Sequence, residues 1–309
     1  MTPVAVVTDS TAVLAGRGSV TTVPLQVVVD GVSHTDGTLA PGLLAQSMRR
    51  RSPVSTSRPT PHVFLEAYER LVEQGADAIV SVHLSSALSG TVDAAASAAV
   101  DSPVPVRVVD TQTIARPLGV AAEEAAVLAA AGADLDACGA AARRVTAASE
   151  VVVYVDTLEH LRRGGRIGGA QALLGSALAI KPILEVRDGA VQPLERVRTA
   201  GRALGRLEAI CLERAGRIRA SGATLDVAVH HLDADERAQT LCDHLAASLE
   251  EQPRVVELGA ERGGVVLCDG LVARPRVSDV RVAGPDGHGA SRARTASTVS
   301  ASAGVLSGR

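Results

Sequence analysis

Short apolar runs alternate along the first half of the chain with segments whose apolar residues return every three or four positions. Val4 to Val7 is a buried-strand run that ends in the polar turn Thr8-Asp9-Ser10-Thr11. Val20 to Val29 reads as one further strand, and Asp30-Gly31 after it as a hairpin-type turn. A helix is predicted over Pro41 to Arg50, with Pro41 suited to its first turn. Another runs from Pro61 to Glu73, carrying Val63, Phe64, Ala67, Leu71 and Val72 at helical spacing. Ala78 to Leu84 is a strand, Ser85 to Gly90 a polar loop, and an alanine-rich helix continues to about Ala99. Val104 to Val109 is a fourth strand, followed by helices over Leu118 to Ala131 and Asp134 to Ala148. Strands alternating with helices in this way predict a mostly parallel sheet with flanking helices and right-handed crossovers. Open α/β sheets of that kind hold ligands at the carboxyl ends of their strands, where these polar turns lie.

The pattern changes after residue 150. Val151 to Val155 is a strand, and Pro182 to Arg187 with Ala190 to Val197 flank Asp188-Gly189 as an antiparallel hairpin. Thr199 to Arg219 is an arginine-rich helix, Thr224 to His230 a strand, Asp233 to Leu249 a helix, and Val255 to Leu258 a final clear strand. Val265 to Val272 has the makings of a strand, whereas Gly284 to Arg309 is rich in Gly, Ser, Ala and Arg and is expected to be disordered. The expected organisation is an α/β domain over 1–150, a mixed-sheet α/β domain over 151–260, and a divergent tail over 261–309. Two domains also suit a chain of 309 residues.

Composition narrows the chemistry. A formal net charge of -3 leaves no basic footprint for nucleic acid, and aromatics at 1% leave little for base stacking. An apolar cavity in such a chain must be lined by aliphatic side chains. Lys181 is the only lysine, so phosphate-binding or Schiff-base lysine chemistry could fall on it alone. The cysteines Cys138, Cys211, Cys242 and Cys268 are scattered without metal-ligand spacing, so no metal is expected and a reducing cytoplasm is the simplest compartment. The amino terminus reads as a strand rather than a signal peptide, and Val120 to Ala133 is too short to span a bilayer.

Two hydroxyl-rich clusters carry the candidate chemistry. Ser55-Thr56-Ser57-Arg58-Pro59-Thr60-Pro61 precedes a helix start, and Leu84-Ser85-Ser86-Ala87-Leu88-Ser89-Gly90-Thr91 joins a strand to a helix through a glycine that lets a ligand approach the backbone. Helix amino termini favour anions, so two such corners at one sheet edge could hold a carboxylate with neutral donors. Taken singly, each cluster also reads as an ordinary helix cap.

In order along the chain, Thr8-Asp9-Ser10-Thr11, the two clusters above, Asp156-Thr157-Leu158 with Gly164-Gly165-Arg166-Ile167, and Lys181-Pro182-Ile183-Leu184 with Arg196-Val197-Arg198-Thr199 resemble the successive motifs of the DegV family of bacterial fatty-acid-binding proteins. The resemblance covers about residues 4 to 258. It implies a two-domain DegV-like fold and a buried long-chain fatty acid, with no cofactor besides that ligand. It places the carboxylate on Thr56 and Ser89, with Ser57, Ser86 and Gly90 around them, and Arg166 and Arg198 beside the head group or on a surface facing a partner. That partner is a separate fatty acid kinase, which makes an acyl phosphate for phospholipid synthesis, so the chain itself would be a cytoplasmic carrier and no enzyme. A transient contact with a membrane surface also fits such a role. Family members carry a His-x-Gly-Pro-Gly turn near the carboxyl end; here the region reads Leu258-Gly259-Ala260-Glu261-Arg262-Gly263-Gly264-Val265, and the chain departs from the family pattern.

Two alternatives belong to other classes: an α/β hydrolytic enzyme using Ser89, or a regulatory protein that holds lipid only for stability. The nucleophile elbow G-x-S-x-G, the P-loop, the G-x-G-x-x-G fingerprint and H-E-x-x-H are all absent from the sequence. His83, His230 and His231 lie in or at the ends of strands and read as structural.

Overall fold

The computed structural model describes residues 3–38, 46–47, 50, 52–174, 180–232, 234–249, 253–257 and 265–274, the last of these by its backbone. Most of the helix expected over Pro41 to Arg50, and the tail from Gly284, lie outside the described residues. All described residues belong to one compact unit, Met1–Arg274.

The first sheet is parallel throughout. Its strands are β1 (Val4–Asp9), β2 (Thr21–Val23), β6 (Ala78–His83) and β7 (Val106–Asp110), in the order β2-β1-β6-β7. Because all four run the same way, the turns after β1, β6 and β7 converge on one edge. Helices α1 (Pro61–Glu73), α2 (Thr91–Val100), α3 (Ala115–Ala130) and α4 (Leu135–Ala147) connect and flank these strands. Pro61 opens α1, where a missing N–H costs nothing, and Phe64, Ala67, Tyr68 and Leu71 form its buried stripe.

A second, six-stranded sheet has the order β10-β9-β8-β13-β11-β12. It contains β8 (Ser149–Val155), the hairpin β9 (Lys181–Arg187) and β10 (Ala190–Val197), β11 (Thr224–His231), β12 (Arg254–Glu257) and β13 (Val265–Arg274). Only β11 and β12 pair in parallel. The unbroken apolar run of β8 is explained by burial on both faces. Val152 and Tyr154 pack under α6 (Ala200–Ala220) and α7 (Asp235–Leu249), against Leu207, Ile210, Leu241 and Leu245. Val151, Val153 and Val155 point the other way, with Leu184 and Val191, onto Leu158, Ile167 and Leu173. Those last residues belong to or flank α5 (Glu159–Arg163) and a short 3-10 turn over Gly168–Leu173. Strand β13, which covers the Val265 to Val272 run that had the makings of a strand, enters between β8 and β11 and carries the second sheet beyond the expected domain end at 260.

The expected single strand Val20 to Val29 is two strands in different sheets. Thr21–Val23 pairs with β1, while β3 (Gln26–Val29) joins β4 (Val32–Thr35) and β5 (Val54–Ser57) in a small antiparallel sheet, order β4-β3-β5. Pro24 has no N–H to continue a ladder, and at this point Ser10 takes over: its N–H donates to the Val23 carbonyl at 3.1 Å and its Oγ accepts from Leu25 N–H at 3.0 Å. Asp30 and Gly31, both at positive φ, make the tight turn between β3 and β4. Val27, Val29 and Val54 pack on Leu232 just past β11, so the small sheet leans on the second one.

A buried ion triad ties the halves together. Arg116 of α3 is fully buried; its guanidinium grips both oxygens of Asp226 on β11 at 3.0 and 3.3 Å, meets Glu123 at 3.0 Å and donates to the Val13 carbonyl at 2.9 Å. Glu123 also accepts from the backbone N–H of Ala15. Removing one member of such a cluster leaves the others uncompensated. The Arg116→Leu variant is therefore expected to lose about 3–5 kcal/mol of stability, read as a lower urea midpoint; a midpoint unchanged from the parent would show that the triad contributes nothing.

Candidate functional site

The edge where β1 and β6 end is organised by one buried carboxylate. Asp9 Oδ2 accepts from Leu84 N–H at 3.0 Å and meets His83 Nδ1 at 3.0 Å; Oδ1 accepts from Thr11 N–H at 3.0 Å and from Thr11 Oγ1 at 2.5 Å. Asp9, Thr11 and His83 are all buried. Burial pushes the Asp9 carboxyl up, but the bond to His83 and the charge of its ring, with Thr11 and Leu84, outweigh it and hold the group below its ordinary value. The chain continues inward: His83 Nε2 lies 2.6 Å from Ser81 Oγ, which lies 2.9 Å from Tyr68 Oη. Burial pushes the Tyr68 phenol up to about 12, so it stays protonated at neutral pH. With Asp9 at one ring nitrogen and Ser81 at the other, His83 has a partner on both sides. His83 is thus structural, as its place in a strand suggests.

With its first N–H fixed on Asp9, the loop Leu84 to Gly90 is pinned from the second sheet as well. Ser85 Oγ donates to the Gly189 carbonyl at 2.6 Å, in the turn of the β9–β10 hairpin. Gly189 stands at φ +77, and a Cβ there would meet Ser85 Oγ at 2.5 Å, so both its conformation and this contact need glycine. Arg166 Nε donates to the Leu88 carbonyl at 3.0 Å, and its Nη1 donates to the carbonyl of Gly164 at 2.5 Å. Leu88 itself packs on the aliphatic face formed by Val151, Val153, Val155 and Leu184. Ser86 turns outward, exposed, with its Oγ donating to Asp110 at 2.5 Å. Ser89, half-buried, has its Oγ 2.9 Å from Thr91 Oγ1.

Residues 55–57 of the hydroxyl cluster lie in a strand, β5, rather than in a helix cap. Thr56 pairs with Val27 and Val54 with Val29. Alternation then puts Thr56 on the face of Val27 and Val29 that is turned to Leu232, and Ser55 and Ser57 on the opposite, exposed face. The register separates Thr56 from Ser57, which sequence alone does not do. Two residues beyond Thr56, the Arg58 side chain lies directly on Gly90, with Cδ and Cζ each 3.0 Å from where a Cβ would sit and Nη1 closer still. That contact links the two segments through one side chain. The arrangement offers neutral hydroxyl donors, the amino terminus of α2 and two guanidinium groups beside an aliphatic surface.

Arg198 stands apart: it is exposed between β10 and α6, whose cap is the Thr199 hydroxyl. Lys181, the sole lysine, is committed to Asp156, with Nζ 3.1 Å from Oδ1; Tyr154 and Arg237 hold the same carboxylate at 2.6 and 3.0 Å. For a hydrolase the geometry is poor, since the bonded partner of Ser89 is Thr91 and His83 is engaged by Asp9 and Ser81. A cavity of about 600 Å³ opens beside the loop, and its lining includes the charged side chains Asp110, Arg143, Glu185, Arg187 and Arg214. Among the described residues no group of three His, Cys, Asp or Glu side chains could hold a metal ion, and no helix is long and apolar enough to cross a membrane. Sequence reading passed over Ser85, Asp9 and Arg58 as individual actors; only Arg58 had a local signal, being the charged member of a hydroxyl run.

If Asp9 fixes the loop, Asp9→Asn should destabilise the protein by about 1–3 kcal/mol, because the amide cannot accept from all the donors facing it. The sign with pH follows from the lowered carboxyl: its stabilising contribution is present above the ordinary value of 3.8 and is lost as pH falls through the lower folded value. The gap between thermal melts of parent and variant should therefore narrow once pH falls below 3.8; a gap that stays constant through that range would refute the assignment.

The chain matches the model described as "Uncharacterised protein, DegV family" over residues 3–267. A DegV domain-containing protein of Streptomyces coelicolor is 50% identical over 269 residues, covering 85% of this chain and 93% of that one. Among solved structures, the fold is similar to a DegV family protein from Thermus thermophilus described for its fatty acid binding (TM-score 0.76, 32% identity, 86% of this chain and 99% of the other). It is also similar to DegV, a fatty acid binding protein from Bacillus subtilis (TM-score 0.75, 28% identity, 87% and 100%). With the parallel sheet, the hydroxyl-lined edge and these likenesses in hand, the chain belongs to the DegV family.

Proposed function

We propose that this protein binds a long-chain fatty acid with its acyl chain in a buried apolar tunnel and its carboxylate at Thr56 and Ser89, between a first domain over 1–150 and a second one following it. The observation that carries the reading is the contact of Arg58, two residues beyond Thr56, with Gly90, next in sequence to Ser89, in a loop whose Leu88 packs against the aliphatic cluster of the second sheet. The fatty-acid-binding relatives of the same fold support it.

The energetics favour such a ligand. Burying a C16 to C18 chain contributes about 0.8 kcal/mol per CH₂, roughly 11 to 13 kcal/mol gross, from which immobilisation and ordering subtract several. The head group then needs only to be satisfied, since an unpaired carboxylate is costly to bury. Neutral hydroxyl donors do this and leave the carboxylate oxygen nucleophilic. The protein, a cytoplasmic carrier without catalysis of its own, presents that oxygen to a separate fatty acid kinase for acyl phosphate formation. Arg198 at the open end of β10 suits contact with the partner or the incoming phosphate, for which a planar guanidinium is the best donor.

Native mass spectrometry of the purified protein should find one fatty acid per chain. Thr56→Ala and Ser89→Ala should each weaken retention by about 1–3 kcal/mol; variants that hold lipid as tightly as the parent would remove the head-group assignment. Arg198→Ala should leave lipid retention intact and slow phosphorylation of the bound acid by a bacterial fatty acid kinase. Equal loss of both would place Arg198 in the acyl site instead.

A further inference from the structure

We infer that Arg58 is the counter-charge for the ligand's head group, the residue that makes the site select an anionic lipid over a neutral one of equal length; this rests on the fatty-acid reading above. Arginines elsewhere in this chain are largely engaged by carboxylates: Arg17 with Glu124, Arg107 with Asp136, Arg206 with Glu195, Arg214 with Glu150 and Glu185, Arg237 with Asp156. Arg58 makes no ion pair among the described residues. Its guanidinium is laid on Gly90 instead, the residue that follows Ser89, and Gly90 is the cap of α2 and offers no side-chain acceptor to the first N–H groups of that helix. A larger residue at 90 would push the guanidinium away; the glycine is what lets it lie there.

Hydroxyls cannot supply the discrimination. The Thr56 and Ser89 O–H groups can each donate to a carboxylate or exchange hydrogen bonds with an alcohol, so they recognise either. A fixed positive charge separates the two, because it stabilises an anion and gains little from a neutral hydroxyl. Arg166, on the other side of the loop, is less free for this work: its Nε and Nη1 are already bonded to the Leu88 and Gly164 carbonyls. Arg58 is exposed, so solvent and salt screen it and its effect is modest, on the order of tenfold in affinity. Being exposed on a flexible stem, it can also leave the head group when a phosphate donor arrives, which the buried bonds of the loop do not permit.

The test is displacement of a fluorescent fatty acid by hexadecanoic acid and by hexadecan-1-ol, for the parent, Arg58→Gln and Arg58→Lys. The parent should prefer the acid. Arg58→Gln should lose about tenfold for the acid, some 1.4 kcal/mol, with alcohol affinity unchanged, and Arg58→Lys should keep most of the preference. An acid-to-alcohol ratio that is the same in Arg58→Gln as in the parent, or a loss of both ligands together, overturns the inference and leaves fatty acid binding standing. If Arg58→Gln does not fold, a Lys variant that loses the preference despite its charge overturns it equally. A parent that binds neither ligand defeats the fatty-acid reading, and this inference with it.

Discussion

A single carboxylate without solvent contact sets the geometry on which the rest depends. Asp9 ends the central strand of the parallel sheet and gathers four donors, one of them the first N–H of the loop Leu84 to Gly90. Burying that charge is tolerable only because each lone-pair direction has a partner. The loop so fixed becomes a rigid ledge, and the second sheet reaches it from two sides through Gly189 and Arg166. Displace Asp9, and both the hydroxyl of Ser89 and the packing of Leu88 lose their reference position.

Around this ledge the protein divides its labour between charge and neutrality. Ionic groups at the centre are matched inside the fold, as Arg116 is with Glu123 and Asp226. The groups offered at the ledge itself are hydroxyls and backbone N–H, donors that carry no charge of their own. Arg58 and Arg166 stand at the margin, where a guanidinium can be screened or redirected. Such a layout suits a protein that must hold a reactive group and later yield it.

How much of this could be read from the chain depended on the range of the interaction. The hairpin of residues 182–197 was legible because Asp188-Gly189 dictates its own turn, and α1 because a proline start and a periodic apolar stripe coincide. Strand β5 was not: Ser55-Thr56-Ser57 carries no apolar alternation, and it becomes a strand only because β3 offers a ladder. Pro24 hid a change of sheet inside an apolar run. The hydroxyl clusters were visible as candidates, but Thr56 and Ser57 look equivalent until register assigns them to opposite faces. The Asp9–His83 pair spans a separation of 74 residues, which no local pattern reveals. Strand β13 was legible as the apolar run Val265 to Val272, but not its place between two other strands, where it pairs on both edges.

That last placement bears on how the molecule is made. Strand β13 is inserted between β8 and β11, two segments synthesised well before it, so the middle of the second sheet stays open until nearly the whole described chain has left the ribosome. Until then the edges of β8 and β11 are unpaired, and non-local pairing of this kind is slow. The nascent protein therefore completes its second sheet last, and until then the slot between β8 and β11 offers unpaired edges to strands of neighbouring chains.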